Sequence, residues 1–369
     1  MAYERASIQR MTGYVPGKQP TTADTIKLNT NENPYPPAPE VMRALLEVPA
    51  DVLRRYPEPL ADAFREIAAE VHGVAREQIV AVNGGDELLR LAVTTFVEPG
   101  TPIGVLEPSY SLYPVLAEIH GSPLVRVPAG SGSPALRGGS TEDFSVPADF
   151  AARLNSERVN LAMLVNPHAP SGTLVSRSQI SAIARELRGV LLVDEAYVDF
   201  ADPELGHDLL PLLAEHDNLL FLRTLSKGYS LAGLRFGYGI GRAELIAPML
   251  EKTRDSYNVD VVAQRLAAAA LHSRGYAVET WKSVRQERAR LVDALAALGL
   301  RVLPSQSNFL LAYVPAGASA SQLRDRLEAG GLLVRHFAQD RLHDALRITV
   351  GTPEQNDRLL ELLSGLLGR

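Results

Sequence analysis

Short runs of Val, Ile and Leu alternate with amphipathic segments from about residue 60 to residue 240. Continuous apolar runs of this length are typical of strands buried on both faces of a parallel sheet. The intervening segments keep helical spacing, as at Leu60, Phe64 and Val71 before Gly73. The predicted strands are 79–82, 103–106, 161–165, 190–193 and 219–222. The pattern predicts an α/β fold in which helices flank a mostly parallel sheet.

The pattern changes at both ends of the chain. A long helical stretch, 274–298, precedes shorter strands at 308–314 and 345–350, and a last helix begins at Pro353. The first 40 residues are rich in Pro and Asn and show little periodicity. Since 369 residues exceed what one core usually serves, we expect three parts. These are an N-terminal arm over 1–40 that packs with the small domain, a large cofactor-binding domain over 41–250, and a small α+β domain over 251–369.

Composition and charge exclude several classes of function. A formal net charge of -6 argues against nucleic acid or an anionic membrane as a main partner. The chain has no cysteine, which excludes disulfides and thiolate catalysis and agrees with a cytoplasmic location. No apolar run approaches the length of a membrane helix, and the histidines do not show a metal-binding spacing. We therefore expect a cytoplasmic protein without a metal.

Polar residues follow three of the predicted strands directly. Asn166 follows the first, Asp194 and Tyr197 the second, and Ser226 and Lys227 the third. Each has an ordinary structural interpretation, since Asn-Pro usually marks a turn and an Asp at a strand end is often a helix cap. Parallel sheets, however, bind ligands at the carboxyl ends of their strands. We therefore expect these side chains to share one site.

This combination meets the requirements of pyridoxal phosphate, which needs a lysine amine for its aldehyde, an acid beside the ring nitrogen and a phosphate cradle. Asp194 can keep the ring nitrogen protonated, because an opposite charge stabilises the pyridinium. Tyr197 and Asn166 are candidates to hydrogen-bond the ring's 3-oxygen. Lys227 is the candidate for the covalent bond.

A candidate phosphate cradle precedes a predicted helix. The backbone amides of Gly85 and Asp86 would face the anion at the helix N-terminus. Ser226 adds a hydroxyl, and Arg235 adds a guanidinium that can bind two phosphate oxygens. Tyr110 is a candidate for stacking on the ring, with core packing as the alternative.

Seven stretches carry a resemblance to a known family. They are LNTNENPYPPAP from Leu28, RYPEP from Arg55, NGGDELL from Asn83, DEAY from Asp194, RTLSKGYSLAGLRFGY from Arg223, SNFLL from Ser307 and LRITVGT from Leu346. The chain resembles the fold-type-I aminotransferases, and within them the histidinol-phosphate aminotransferases. This implies a large domain with a mostly parallel sheet, a smaller C-terminal domain, pyridoxal phosphate as cofactor and a homodimer.

The resemblance also implies roles for individual residues. Lys227 bonds the cofactor aldehyde and then acts as the base, with Asp194 and Tyr197 as the other catalytic residues. The implied cofactor-binding set is Tyr56, Gly85, Asp86, Tyr110, Asn166, Asp194, Tyr197, Ser226, Lys227 and Arg235, with Tyr56 reaching into the neighbouring subunit. The implied substrate-binding set is Tyr14, Asn31, Arg335 and Arg347. The implied reaction transfers an amino group between L-histidinol phosphate and 2-oxoglutarate in histidine biosynthesis.

One loop departs from the family pattern. The family usually has Asn-Pro-Asn-Asn-Pro-Thr-Gly where this chain has NPHAPSG from Asn166. We match the ring-contacting asparagine to Asn166 and expect a structural role for His168. Two alternatives stay open: an aromatic amino acid aminotransferase and a threonine-phosphate decarboxylase, which also resemble this branch.

Overall fold

The computed structural model describes residues 3–130 and 144–368, and no helix among them is long and apolar enough to cross a membrane. The strands are β1 Ile26–Leu28, β2 Ile79–Val82, β3 Ile103–Glu107, β4 Leu124–Pro128, β5 Leu161–Val165, β6 Val190–Asp194, β7 Leu219–Thr224, β8 Gly237–Gly241, β9 Arg301–Val302, β10 Phe309–Tyr313, β11 Leu332–His336 and β12 Ala345–Thr349. The helices are α1 Ala6–Arg10, α2 Pro39–Leu46, α3 Ala50–Leu53, α4 Asp62–His72, α5 Gly85–Phe96, α6 Leu112–His120, α7 Phe150–Ser156, α8 Arg177–Glu186, α9 Ala243–Pro248, α10 Val261–His272, α11 Arg274–Ala297, α12 Ala320–Ala329 and α13 Pro353–Leu367.

The larger sheet has the order β2-β8-β7-β6-β5-β3-β4. Its strands pair in parallel from β4 to β7, and β8 pairs antiparallel with both β7 and β2. One face packs against α5, α6 and α9, and the other against helices that include α4, α7 and α8. The predicted α/β class with a mostly parallel, doubly covered sheet is confirmed. Asn166, Asp194 and Lys227 lie at or just beyond the carboxyl ends of β5, β6 and β7.

Strand β8 was not predicted from the sequence, because its alternating glycines give no apolar run. Gly237 has a steric reason: a Cβ there would lie 2.9 Å from the backbone nitrogen of Gly85. Glycine in a strand commonly marks such a close backbone approach. At this position it lets the start of α5 lie directly against the sheet edge, beside the ends of the central strands.

The smaller sheet has the order β1-β11-β12-β10-β9, and it combines one strand of the N-terminal arm with four strands that follow residue 300. Strand β1 of the N-terminal arm pairs in parallel with β11, so the arm is part of this sheet. Strands β11 and β12 pair antiparallel, with Arg335 directly opposite Arg347. The domain boundaries near residues 40 and 250 stay a prediction.

Helix α11 links the two sheets through a buried cation. The Arg288 guanidinium donates to the carbonyl oxygens of Phe200 at 2.8 Å and Ser307 at 2.9 Å. It also forms a salt bridge with Asp202 at 2.8 Å. These bonds fix the segment before β10 against the loop that follows β6, at the side of the large sheet's carboxyl edge.

Candidate active site

A cavity of about 430 Å³ lies between the carboxyl edge of the larger sheet and strands β11 and β12. Most of the predicted site residues line it: Tyr14, Asn31, Gly85, Asp86, Tyr110, Asp194, Tyr197, Ser226, Lys227, Arg235, Arg335 and Arg347. Asn166 and Tyr56 do not. The N-terminal arm, the strand ends of the large sheet and the small sheet therefore each contribute to a single cavity.

Lys227 lies in the turn after β7, and its amine is held from the N-terminal arm. Its Nζ donates to the carbonyl oxygen of Thr30 at 2.9 Å. Burial lowers the pKa of the Lys227 amine to about 8, and the nearby Arg347 cation adds to this effect. The amine is therefore neutral in an appreciable fraction of molecules near neutral pH, as a nucleophile and base must be.

Asp194 is the last residue of β6 and is only 5% exposed. Its carboxylate accepts hydrogen bonds from the Tyr113 hydroxyl at 3.0 Å and from the Ala196 amide at 3.1 Å. Burial raises the pKa of Asp194 to about 6, while those two hydrogen bonds oppose the rise. A buried carboxylate that is not paired with a protein cation can accept a cationic ligand group.

The start of α5 forms the candidate anion cradle. Gly84 precedes the helix at φ 77°, and a Cβ there would lie 2.7 Å from the Arg235 guanidinium. Arg235 is in contact with Asp86 at 3.3 Å, and the hydroxyl of Ser226 lies 2.9 Å from that of Thr224. Helix amides, a hydroxyl and a guanidinium thus converge at this end of the cavity, a combination suited to phosphate.

Arg335 and Arg347 form the opposite end of the cavity. Their side chains share one face of the small sheet because the two residues are directly opposed across β11 and β12. Arg347 donates to the carbonyl oxygen of Asn29 at 3.1 Å, and its Nε has no partner in the described part of the chain. Burial lowers the pKa of Arg347, and Arg335 lowers it further. Both guanidiniums lie over the Phe337 ring, 5.5 Å and 5.4 Å from its centroid.

The loop after β5 places a different residue at the cavity than the sequence motif suggested. The Asn166 side-chain amide donates from Nδ2 to the Val175 carbonyl oxygen at 3.1 Å and accepts at Oδ1 from the Val175 N–H at 2.8 Å. Ala169 and Pro170 line the cavity instead. Ala169 stands where the family pattern has an asparagine, so a methyl group lines the cavity at this position. The Asn166 side chain holds the loop in place.

His168 has the structural role expected of it. Its ring is fully buried, with Nδ1 2.8 Å from the Ser171 hydroxyl and Nε2 2.8 Å from the Pro108 carbonyl oxygen. Since burial lowers the pKa of His168 to about 4, the ring is neutral, and Nε2 donates to the carbonyl. His168 thus connects this loop to the segment that carries Tyr110.

Several polar atoms that the sequence gave no reason to select also line the cavity. The hydroxyls of Ser109 and Thr30 and the Asn29 amide oxygen are buried and lack a hydrogen-bond partner in the described residues. Such groups are costly unless a ligand or solvent bonds them. Their grouping could not be predicted from the sequence, because only the fold brings the N-terminal arm beside the turn between β3 and α6.

The chain is similar to known aminotransferases over nearly its whole length. The model of the family "Aminotransferase class I and II" matches residues 23–363. The chain belongs to the class I and II aminotransferases. It is 39% identical, over 99% of its own length and 98% of the relative's, to the histidinol-phosphate aminotransferase of Rippkaea orientalis. Over 98% of both chains it is 40% identical to the protein of the same name from Citrifermentans bemidjiense.

Solved structures agree with this assignment. A crystal structure of histidinol-phosphate aminotransferase from Sinorhizobium meliloti, in complex with pyridoxal-5'-phosphate, superposes with a TM-score of 0.84 at 25% identity over 99% of both chains. A Thermus thermophilus aspartate aminotransferase variant, at 21% identity over 99% of this chain and 100% of its own, has a TM-score of 0.78 and supports the fold alone. The predicted aminotransferase family and fold type are confirmed.

The residues of this aminotransferase fit pyridoxal phosphate. One end of the cavity offers helix amides and the Arg235 cation for a phosphate. Its floor offers the buried Asp194 carboxylate for a ring nitrogen, and Lys227 lies where an aldehyde could be bonded. Tyr14 and Tyr110 form an aromatic wall, with ring centroids 6.0 Å apart.

Tyr56 lies outside the cavity and is 80% exposed. Its ring stacks on Tyr257 at a centroid distance of 4.5 Å and an angle of 14°. Four apolar side chains of α2 and α3 are also exposed: Met42, Leu45, Leu46 and Leu53. Tyr56, which the resemblance predicts to reach the cofactor phosphate of a neighbouring subunit, is thus exposed on the surface of this one.

Proposed function

We propose that this chain is a pyridoxal-phosphate-dependent transaminase that transfers an amino group between L-histidinol phosphate and 2-oxoglutarate, as part of histidine biosynthesis. The observation that carries the proposal is the opposed pair Arg335 and Arg347, which share a cavity with Lys227. Directly opposed like charges destabilise a strand pair. Their presence therefore supports a function in anion binding.

Lys227 is proposed as covalent anchor and general base. Bound pyridoxal phosphate supplies a conjugated ring that accepts electrons from the substrate's α-carbon. The neutral Lys227 amine would take the substrate's α-proton and, as the resulting ammonium, would give a proton up again, which is general base and acid catalysis by one group. Thr30, whose carbonyl accepts from this amine, keeps it on the cavity side of its turn.

The proposed cofactor contacts follow from charge and position. Asp194 would hold the ring nitrogen's proton, because its carboxylate is buried and no salt bridge to it is found among residues 3–130 and 144–368. The amides of Gly85 and Asp86, the Ser226 hydroxyl and the Arg235 guanidinium would bind the phosphate. Arg235 would exchange its present contact with Asp86 for a phosphate oxygen, which carries more charge.

The arginine pair suits both half-reactions. Histidinol phosphate carries a phosphate monoester and 2-oxoglutarate carries two carboxylates, so each substrate brings an anion away from the reacting carbon. A guanidinium fork can bind either group with two parallel hydrogen bonds. Tyr14, from the N-terminal arm, lines the same end and would add a hydroxyl.

A homodimer in the cytoplasm completes the proposal. Tyr56 and the exposed side chains of α2 and α3 would lie against a second copy, whose phosphate Tyr56 would reach. Lys227→Ala subunits mixed with Tyr56→Phe subunits should then regain full activity at one site of each heterodimer, because the site of the Tyr56→Phe subunit keeps its own Lys227 and receives Tyr56 from the Lys227→Ala subunit. A fully active monomer would contradict this part.

The test of the reaction is a panel of amino donors with 2-oxoglutarate as acceptor. We expect L-histidinol phosphate to give the highest kcat/KM, with glutamate formed in equal amount. A higher kcat/KM for phenylalanine or tyrosine would assign the chain to the aromatic aminotransferases. Release of carbon dioxide from threonine phosphate without glutamate formation would instead identify a decarboxylase.

A further inference from the structure

The Tyr197 hydroxyl is held by a side chain of the N-terminal arm. Asn31 Nδ2 donates to the Tyr197 oxygen at 3.0 Å, and both residues line the cavity. The ring of Tyr197 packs edge-on against Phe309 at 5.0 Å, which fixes its plane. No other hydrogen bond of this hydroxyl is found within residues 3–130 and 144–368.

The direction of that hydrogen bond follows from the surrounding network. The Thr349 hydroxyl accepts from the Asn31 backbone N–H at 3.0 Å and donates to Asn31 Oδ1 at 3.2 Å. The amide oxygen of Asn31 therefore faces Thr349, and its NH₂ group faces Tyr197. Because Tyr197 accepts this bond, the hydrogen of its own hydroxyl is left to be donated elsewhere.

Asn31 is itself fixed in a conformation that few residues adopt. It is 1% exposed and has φ 56°, in the left-handed region that asparagine tolerates better than most residues. Its carbonyl oxygen accepts from the Asn308 amide at 3.0 Å. Three hydrogen bonds to the small sheet and its flanking segment thus hold Asn31 in place, and its side-chain NH₂ group donates to the Tyr197 oxygen.

We infer that Asn31 is a positioning residue, which acts through Tyr197 by directing that residue's O–H into the cavity toward the cofactor's 3-oxygen. The inference rests on the proposed function, since it needs pyridoxal phosphate in this cavity. It replaces the expectation that Asn31 contacts substrate. Tyr197 carries more of this task here because Asn166 is bonded to Val175 and the cavity position of that loop is Ala169.

The charges around Tyr197 keep its hydroxyl protonated. Burial raises the pKa of Tyr197, whereas Arg347 and the Asn31 hydrogen bond oppose the rise, and Asp194 and Tyr14 reinforce it. The Lys227 amine lies 5.9 Å from the centre of the ring. Because the phenol is protonated and its oxygen already accepts a hydrogen bond from Asn31, Tyr197 is available to a further partner as a hydrogen-bond donor.

The experiment titrates the visible absorbance of added pyridoxal phosphate on the full chain, with Asn31→Gly and Tyr197→Phe alone and combined. Glycine removes the amide and also tolerates the left-handed backbone. A donor to the 3-oxygen lowers the proton affinity of the conjugated nitrogen, so Asn31→Gly should raise the pH midpoint by about 0.5–1 unit. Tyr197→Phe should raise it by at least as much, and the double variant should match Tyr197→Phe.

An equal further rise from Asn31→Gly in the Tyr197→Phe background would overturn the inference, because Asn31 would then act by another route. An unmoved midpoint in Asn31→Gly would overturn it too. Asn31→Asp guards against misfolding as an explanation: it keeps the shape of the side chain but can only accept, so it should raise the midpoint at least as much as glycine. A wild-type chain without pH-dependent absorbance would overturn the proposed function as well, whereas loss of histidinol-phosphate activity alone would leave this inference standing.

Discussion

The two ends of the cavity are built in different ways. The lysine end comes from neighbouring strands of one sheet, because Asp194 ends β6 and Lys227 follows β7. The Asp194 carboxylate already accepts hydrogen bonds from Tyr113 and Ala196. At the arginine end, β11 and β12 of the other sheet bring Arg335 opposite Arg347, and the N-terminal arm adds Tyr14. At the lysine end the carboxylate already has hydrogen-bond partners, whereas the arginine end places two positive charges side by side.

This difference separates chemistry from selection. Groups at the lysine end are positioned for any substrate that presents an α-amine, so changes there should affect all donors equally. Groups at the arginine end lie away from that amine and bind what distinguishes one donor from another. Variants at the two ends should therefore give different ratios of kcat/KM between donors.

The largest effect is expected at Lys227. Lys227→Ala removes both the bond to the cofactor aldehyde and the base, so turnover should fall by about four decades or more. The visible absorbance of covalently bound cofactor should disappear, as measured by spectroscopy of the purified protein. Near-normal transamination by this variant would refute the assignment of the lysine end.

Asp194→Asn should slow all donors while the cofactor stays bound, because the phosphate contacts remain. Loss of a charge-assisted contact to a buried cation costs on the order of 3–5 kcal/mol, or about two to four decades in kcat. Asp199→Asn is a matched control, since Asp199 is a nearby acid that does not line the cavity. Single-turnover rates within threefold of wild type for Asp194→Asn would show that the carboxylate only caps its turn.

Arg335→Ala should change selection rather than chemistry. Removing one guanidinium from an anion costs about 1.5–3 kcal/mol, so kcat/KM for histidinol phosphate should fall about 10- to 100-fold. The value for phenylalanine, whose ring needs no cation, should change little. Arg326→Ala removes a charge from α12 outside the cavity and should leave both donors unaffected. Equal losses for both donors would remove the distinction between the two ends.

The smallest effect concerns pH and the free amine of Lys227. Since its pKa is lowered to about 8, the neutral form that attacks an aldehyde becomes dominant above that pH. The rate at which cofactor-free protein captures pyridoxal phosphate should rise about tenfold per pH unit below the midpoint and level off above pH 8. Stopped-flow absorbance measures this rate. A rise that continues to pH 10 would mean that the cavity does not perturb the amine.

The amino-acid sequence by itself determined the lysine end. Its strands are continuous apolar runs, and the residues that follow parallel strands meet at one edge of the sheet whatever the details of packing. Asp194, Ser226 and Lys227 could therefore be selected together. The start of α5 was also predicted, but the strand that holds it in place, β8, was not, because its glycines serve a close backbone approach that shows no periodicity.

Only the tertiary structure decided the arginine end and the geometry around Tyr197. Opposition of Arg335 and Arg347 depends on strand register, and the Asn31 contact joins residues 166 positions apart in the chain. The sequence motif also favoured Asn166 as a ring contact, whereas the fold directs its amide to Val175 and brings Ala169 to the cavity. A side chain's direction depends on which backbone groups remain to be satisfied around it, and these are known only once distant segments have packed together.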